Sequence, residues 1–256
     1  KHIAFTPHLG ASTNEAQENV GIQVAEQLRD FLTTGEIRNA INMPSLDAGA
    51  LKEIGHYLDL ANSLGKFLAK LGPANPDSLR VSYHGEIAEK DTALISRTTL
   101  TGYLEAARSE GQVNIVNSPA VAHDMGLELI DSVINAKTEY NELIVAELTK
   151  DGQKFRVSGT IIGKSPRIVE IDRLFVDTNI KGHFLIVRND DRPGIVGLVG
   201  SSLGEAGLNI ANLSLARNKT EGDALNIIEL DTAPGAELIQ SLSAAPGILS
   251  VIAVEI

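Results

Sequence analysis

The sequence predicts an α+β fold of two domains, preceded by a short helical segment at the N-terminus. Several stretches repeat apolar residues at helical spacing. Other stretches alternate apolar and polar residues over short runs bounded by turn residues, which is typical of antiparallel strands. In the last third of the chain these patterns follow one another in the order βαββαβ. From these observations we expect domains at 45–179 and 180–256 and a separate segment at 1–44.

The segment 1–44 predicts one helix followed by an extended link. Ser12 and Glu15 have the spacing of a capping box, and Gly35 is a typical residue beyond a helix C-terminus. Pro44 closes the link and predicts a domain boundary. One apolar stripe runs along the predicted helix, formed by Val20, Val24, Leu28, Phe31 and Leu32.

The region 45–179 predicts an α+β domain. A long amphipathic helix fills 48–72, a strand pattern follows at 79–89, and helical spacing returns over 92–111. From residue 141 onward the pattern is one of strands. The dipeptide Asp151-Gly152 stands between two alternating runs, which strongly indicates a β-hairpin.

The region 180–256 has the simplest pattern. Strands are predicted near 182–189, 209–217, 224–231 and 248–256, with helices between the first and second and between the third and fourth. This is the ferredoxin-like order, in which two helices cover one face of a four-stranded antiparallel sheet.

Composition excludes several classes of function. The net charge is −11 and no run of Lys and Arg occurs, which disfavours binding to nucleic acid or to an anionic membrane surface. No apolar stretch approaches the length of a membrane span. The absence of cysteine excludes disulfides and fits a cytoplasmic protein. Because the sequence begins at Lys1, we expect it to be a piece of a longer protein.

The glycine and histidine patterns exclude two local sites. No two of the 23 glycines stand two residues apart, so the G-x-G-x-x-G dinucleotide fingerprint is absent. A series of five glycines between 194 and 207 has the wrong spacing for phosphate binding, and we expect it to allow close packing against the sheet. The six histidines form no HxH or HExxH pair, so no metal site is predicted.

Two stretches of the sequence contain candidate site residues. His8 stands between Pro7 and the small residues Gly10 and Ala11; the pattern alone favours an ordinary loop histidine over a catalytic one. Near the first helix of the C-terminal domain, the polar residues Asn189, Asp191 and Asn209 would suit an α-amino acid, with the acid for the ammonium and the amides for the carboxylate or a hydroxyl. They are equally well explained as turn formers. The two ends of this set need not be neighbours within one subunit, but they can become neighbours across a pair of subunits.

Four stretches resemble one family. "TPHLGASTNEAQENVG" resembles the catalytic-histidine loop of D-2-hydroxyacid dehydrogenases, and "GEIRNAINMP" resembles the exit from their catalytic region. "RNDDRPGIVGLVGSSLGEAGLNIANLSLAR" resembles an ACT domain of the amino-acid-sensing type. "VSGTIIGKSPRIVEID" resembles the intervening domain of the long-form D-3-phosphoglycerate dehydrogenases, which is proposed to bind anions. The chain is therefore similar to the C-terminal portion of that family.

For the first segment, the resemblance implies a stub of an α/β catalytic region. His8 would be the catalytic acid/base, and Gly10 and Ala11 would line the nicotinamide side of an NAD site. The substrates of the intact enzyme would be 3-phosphoglycerate and phosphohydroxypyruvate. The other parts of the catalytic site are not in this sequence, so this piece is expected to be inactive alone.

For the domains at 45–179 and 180–256, the resemblance implies that they regulate the activity of the intact enzyme. L-serine would bind at Asn189, Asp191 and Asn209 between self-associated ACT domains, and Arg167 would belong to an anion site whose other basic positions are Phe175 and Asn179 here. Asn189 replaces the His or Tyr often found at its position. Two alternatives stay open: an ACT domain that only holds an oligomer together, or control mainly by anionic substrate at the intervening domain.

Overall fold

The computed structural model describes residues 5, 7, 9–34, 38–41, 48–90, 92–108, 112–134, 136, 138–218 and 222–256, with the side chains of 48–53 excepted. Its contacts divide the chain into two compact units, Lys1–Ile54 and Gly55–Ile256. The mixed α+β class predicted from the sequence is confirmed. The domain boundaries expected after residues 44 and 179 stay predictions.

The first unit contains helix α1, Asn14–Thr34. The predicted capping box is wrong by one residue: the Thr13 Oγ1 accepts a hydrogen bond from the Ala16 N–H at 3.2 Å, while the Ser12 hydroxyl donates to the Leu9 carbonyl. The expected apolar stripe exists but is exposed, as at Leu28 and Leu32. Gly35 and Pro44, the predicted helix stop and boundary, lie outside the described residues.

The second unit begins within helix α2, Ala48–Leu71, and its first sheet holds six strands among the described residues. The elements that follow α2 are β1 Ser78–Gly85, α3 Thr92–Ala107, α4 Ser118–Asp124, β2 Glu128–Val133, β3 Glu142–Lys150, β4 Gln153–Ile162, β5 Ser165–Ile171 and β6 Leu174–Thr178. The strand order is β2-β1-β3-β4-β5-β6, with β1 and β2 parallel and the remaining pairs antiparallel.

The hairpin between β3 and β4 forms where Asp151-Gly152 predicted it. Both turn residues have positive φ, 49° and 78°, and Lys150 pairs with Gln153. That backbone matches the right-handed twist of the flanking strands, which explains why Asp-Gly is favoured there.

The remaining elements follow in the order βαββαβ: β7 His183–Asp190, α5 Ile195–Glu205, β8 Ile210–Asn218, β9 Asp223–Leu230, α6 Ala236–Ser243 and β10 Ile248–Glu255. Their antiparallel strands are ordered β10-β7-β9-β8. Apolar side chains of both helices and the sheet form one buried cluster: Leu185, Val187, Ile195, Val199, Leu203, Ile228, Leu230 and Leu242.

The opposite face of this sheet packs on the first part of the unit. Phe184 of β7 contacts Phe67 of α2 edge-on, with ring centroids 5.3 Å apart. The glycines of α5 do not serve the packing that the sequence suggested. A Cβ added at Gly197, Gly200 or Gly204 would meet nothing within 4 Å, so these positions face open space instead of the sheet.

Candidate functional site

The turn between β7 and α5 carries two of the predicted site residues. β7 ends at Asp190 and α5 begins at Ile195, with Gly194 at φ 96° as the N-cap. A left-handed conformation favours glycine, so the Pro193-Gly194 pair accounts for the sharp entry into the helix. Asn189 and Asp191 therefore lie where the strand meets the helix N-terminus.

Asp191 is held by an arginine that the sequence did not single out. The Arg217 Nε lies 2.9 and 2.8 Å from the two carboxylate oxygens of Asp191, and a second guanidinium nitrogen lies 2.7 Å from Oδ2. The Asp191 N–H also donates to the Gly222 carbonyl at 3.0 Å. The Asp191 carboxylate raises the pKa of Arg217 above its ordinary value, first by hydrogen bonding and then by charge attraction. Arg217 of β8 and Gly222 just before β9 thus both bind Asp191.

Asn189 is buried, with 3% of its surface exposed. Its Nδ2 donates to the Asp190 carbonyl, and its Oδ1 accepts a hydrogen bond of 2.6 Å from the Asn226 Nδ2. Asn226 is itself 2% exposed, and its Oδ1 is a buried acceptor without a donor among the described residues. The two amides are therefore buried together at the sheet end beside the β7–α5 turn.

Asn209 lies at the other end of the same sheet. It precedes Ile210, which pairs with Leu230, and Leu230 pairs with His183 at the start of β7. Asn189 lies six residues along β7, roughly 20 Å away at the usual rise of a strand. The Asn209 Nδ2 donates to the Asp231 carboxylate at 2.8 Å. Within one chain, the structure does not bring the three predicted residues together.

Arg167, the predicted anion residue, is already paired. Its guanidinium lies 2.7 Å from the Asp177 carboxylate and donates to the Asn179 Oδ1, and its side chain is 19% exposed. Phe175, at another position of that expected site, is exposed. The charge of Arg167 in β5 is balanced by Asp177 in the neighbouring strand β6.

Asn179 connects Arg167 to a buried carboxylate, Glu229 of β9. Glu229 is 7% exposed and accepts hydrogen bonds from the Thr178 hydroxyl at 2.6 Å and from the backbone and side-chain N–H groups of Asn179 at 2.8 and 2.6 Å. The Asn212 amide adds a contact of 3.1 Å. Burial alone would raise the pKa of Glu229, but these hydrogen bonds outweigh it and hold the pKa below its ordinary value.

The described residues of the segment 1–44 include few of the predicted catalytic positions. His8 lies outside the described residues. Gly10 and Ala11 precede α1, and Ala11 has a positive φ of 50°. In the described part of the chain no cluster of His, Asp and Glu could hold a metal ion, and no helix there is long and apolar enough to cross a membrane.

Sequence reasoning missed Arg217, Asn226 and Glu229. Each lies within a strand, and its partner lies 26 to 51 residues away along the chain. A spacing pattern carries no signal for such pairs, because they depend on strand order and register.

Comparison with known proteins gives consistent matches. A family profile described as "D-3-phosphoglycerate dehydrogenase intervening domain" matches residues 53–172. D-3-phosphoglycerate dehydrogenase of Methanocaldococcus jannaschii is 32% identical over 250 residues, 98% of this chain and 47% of that protein. The enzymes of that name from Bacillus subtilis and Archaeoglobus fulgidus are each 31% identical, over 97% and 100% of this chain and 47% and 49% of their own lengths. The chain spans about half the length of the curated relatives it matches.

Proposed function

Because the chain corresponds over nearly its whole length to the C-terminal portion of D-3-phosphoglycerate dehydrogenases, we propose that it is the regulatory part of such an enzyme. L-serine, the end product of the pathway that this enzyme opens, binds at residues 180–256 and lowers the turnover of the whole enzyme. The observation that carries the proposal is the polar cluster around Asp191 at the β7–α5 turn.

The βαββαβ order and its antiparallel sheet support an ACT domain at 180–256. The turn presents the Asp191 carboxylate beside the Arg217 guanidinium, with the Asn189 amide buried next to them, and the two charged groups complement the ammonium and carboxylate of an amino acid. Asp191 keeps 21% of its side chain exposed, so it is accessible from solvent. The region 45–179 is then the intervening domain.

A second copy of the chain would complete the site. β8 is an edge strand, and it exposes Leu213 and Leu215, the apolar residues four and two positions before Arg217. Antiparallel association of two β8 strands about a two-fold axis would bring Asn209 of one copy toward Asp191 of the other. Self-association through the ACT domains is therefore part of the proposal.

The whole enzyme would oxidise 3-phosphoglycerate to phosphohydroxypyruvate with NAD, with His8 as the acid/base and Gly10 and Ala11 beside the nicotinamide. The residues of this chain do not make up a dinucleotide site, since the G-x-G-x-x-G fingerprint is absent. We therefore expect this chain alone to show no dehydrogenase activity.

The alternative of control by an anionic substrate at Arg167 has weaker support. An anion there would have to compete with the Asp177 carboxylate at 2.7 Å and with the Asn179 oxygen. The remaining alternative, an ACT domain that only holds an oligomer together, predicts no response to an amino acid.

Isothermal titration calorimetry of the chain with L-serine tests the proposal. We expect saturable binding that Asp191→Ala abolishes, and sedimentation velocity should show tighter association when L-serine is present. Equal heats from the wild type and from Asp191→Ala would refute the site. An unchanged sedimentation profile and an absence of binding heat would favour the oligomerisation module.

A further inference from the structure

The ion pair of Asp191 and Arg217 determines which ligands can use this site. Three contacts of 2.7 to 2.9 Å join the two groups, and the Arg217 side chain remains 54% exposed. Arg217 and Asn189 are both register partners of Ala224, so they lie in one row on the helix-covered face of the sheet. The acid, the guanidinium and the buried amide therefore converge on the same side.

Arg217 is better placed than the neighbouring cations to meet a ligand at Asp191. The guanidinium of Arg192 donates to the Pro246 carbonyl at 2.6 Å. Arg188 is on the opposite face of the sheet, where it pairs with Asp223 at 2.6 Å and lies near Asp172. Arg217 is thus the guanidinium best placed to pair with a ligand carboxylate near Asp191.

The pairing penalises a ligand that carries only one charge. An amine that binds Asp191 must displace the Arg217 guanidinium and leave it without its counter-ion. A zwitterion can exchange the Asp191–Arg217 contacts for two new pairs, its ammonium with Asp191 and its carboxylate with Arg217. Charge-assisted contacts of this type are among the strongest hydrogen bonds in proteins.

We propose that Arg217 binds the carboxylate of the ligand and restricts the Asp191 site to zwitterionic α-amino acids. This inference rests on the proposed function, since it names the specificity determinant of the same effector site.

The test titrates the chain with four ligands: L-serine, glycine, ethanolamine, which lacks the carboxylate, and 3-hydroxypropanoate, which lacks the ammonium. Wild-type protein should prefer L-serine over ethanolamine by at least about tenfold, the worth of one charge-assisted hydrogen bond. Arg217→Gln should weaken L-serine binding by at least about tenfold, improve ethanolamine binding, and bring the two affinities within about threefold. Arg217→Lys should recover part of the preference, because it restores the charge without the bidentate fork.

Arg188→Gln is the matched control, because it removes an ion-paired arginine from the opposite face of the same sheet. It should retain the preference of the wild type, and thermal unfolding should show that every variant is folded. If wild-type protein binds L-serine and Arg217→Gln keeps the tenfold preference, the inference is wrong and the serine site stands. Binding of glycine but not L-serine, with a preference that depends on Arg217, would support the inference and refute L-serine as effector. An absence of binding by both zwitterions would overturn both.

Discussion

Replacing Glu229 of β9 with glutamine is expected to destabilise the contact between the four-stranded sheet and the end of β6. The Glu229 Oε1 accepts from the Thr178 hydroxyl, the Asn179 backbone and the Asn212 amide, and its Oε2 accepts from the Asn179 side chain. A glutamine retains one acceptor oxygen for the first group of donors. Its amide nitrogen would then face the Asn179 side-chain nitrogen, so that two donors oppose each other.

The expected cost follows from these contacts. Losing a hydrogen bond to a buried charged group costs about 1.5–3 kcal/mol, and a facing pair of donors does not recover it. We therefore expect Glu229→Gln to lower the free energy of unfolding by about 2 kcal/mol. For a unit of this size, that corresponds to a fall in Tm of roughly 4–8 °C.

Differential scanning calorimetry of the wild type, Glu229→Gln and Glu255→Gln measures the effect. Glu255 is the matched control, because it is an exposed glutamate in the same sheet. It should change Tm by no more than about 1–2 °C, as is usual for surface substitutions. A fall in Tm for Glu229→Gln as small as that of the control would refute the role given to the buried carboxylate.

Three further predictions concern pH and glycine. The pKa of Glu229 is lower in the folded chain than its ordinary value of 4.5. The carboxylate therefore stabilises the fold fully above pH 4.5, and this stabilisation is lost as the pH falls through the folded-state pKa. The Tm difference between wild type and Glu229→Gln should therefore narrow below about pH 4.5 and stay constant above it; a difference independent of pH would contradict the assignment. Gly65→Ala should lower the free energy of unfolding in urea by at least about 2 kcal/mol, because its Cβ would lie 2.1 Å from a backbone oxygen of α3. Gly55→Ala, whose Cβ would meet nothing within 4 Å, should leave that free energy unchanged or raise it. Gly247→Ala and Gly207→Ala should each lower the free energy of unfolding by about 1–2 kcal/mol, because both glycines have positive φ, 87° and 72°. The Arg192 guanidinium that a Cβ at 247 would meet is the end of a flexible side chain and can move aside, so the two losses should be similar. Equal losses for Gly65→Ala and Gly55→Ala would refute the packing argument, and unchanged stability of Gly247→Ala or Gly207→Ala would refute the conformational one.

The local elements of this fold were predictable because they depend on neighbouring residues. Alternation and turn chemistry predicted the strands of both sheets except β2, for which no strand was predicted, and Asp151-Gly152 predicted a hairpin. The predicted N-cap of α1 was wrong by one residue. Ser12 and Thr13 are both favourable N-cap residues, and the backbone geometry, which local sequence does not specify, determines which of them caps the helix.

The candidate site was predictable only in part. Asp191 and Asn189 lie at a turn whose residues are visible in the sequence, but the partner of each comes from another strand. Arg217 reaches Asp191 because β8 and β7 both flank β9 in a fixed register, and no local pattern encodes that arrangement. Asn209 was expected to become a neighbour of these residues across a pair of subunits, and that expectation stays a prediction.

A mixing experiment tests the central claim most directly, namely that L-serine binds between Asp191 of one copy and Asn209 of another. Asp191→Ala and Asn209→Ala should each lose binding, because every site in each variant lacks one contact. In a mixed dimer both substitutions fall in one site and the other site is intact. After random exchange of subunits, calorimetry of the mixture should recover about a quarter of the wild-type binding stoichiometry. If the variants exchange subunits and the mixture still binds no L-serine, the shared site does not exist.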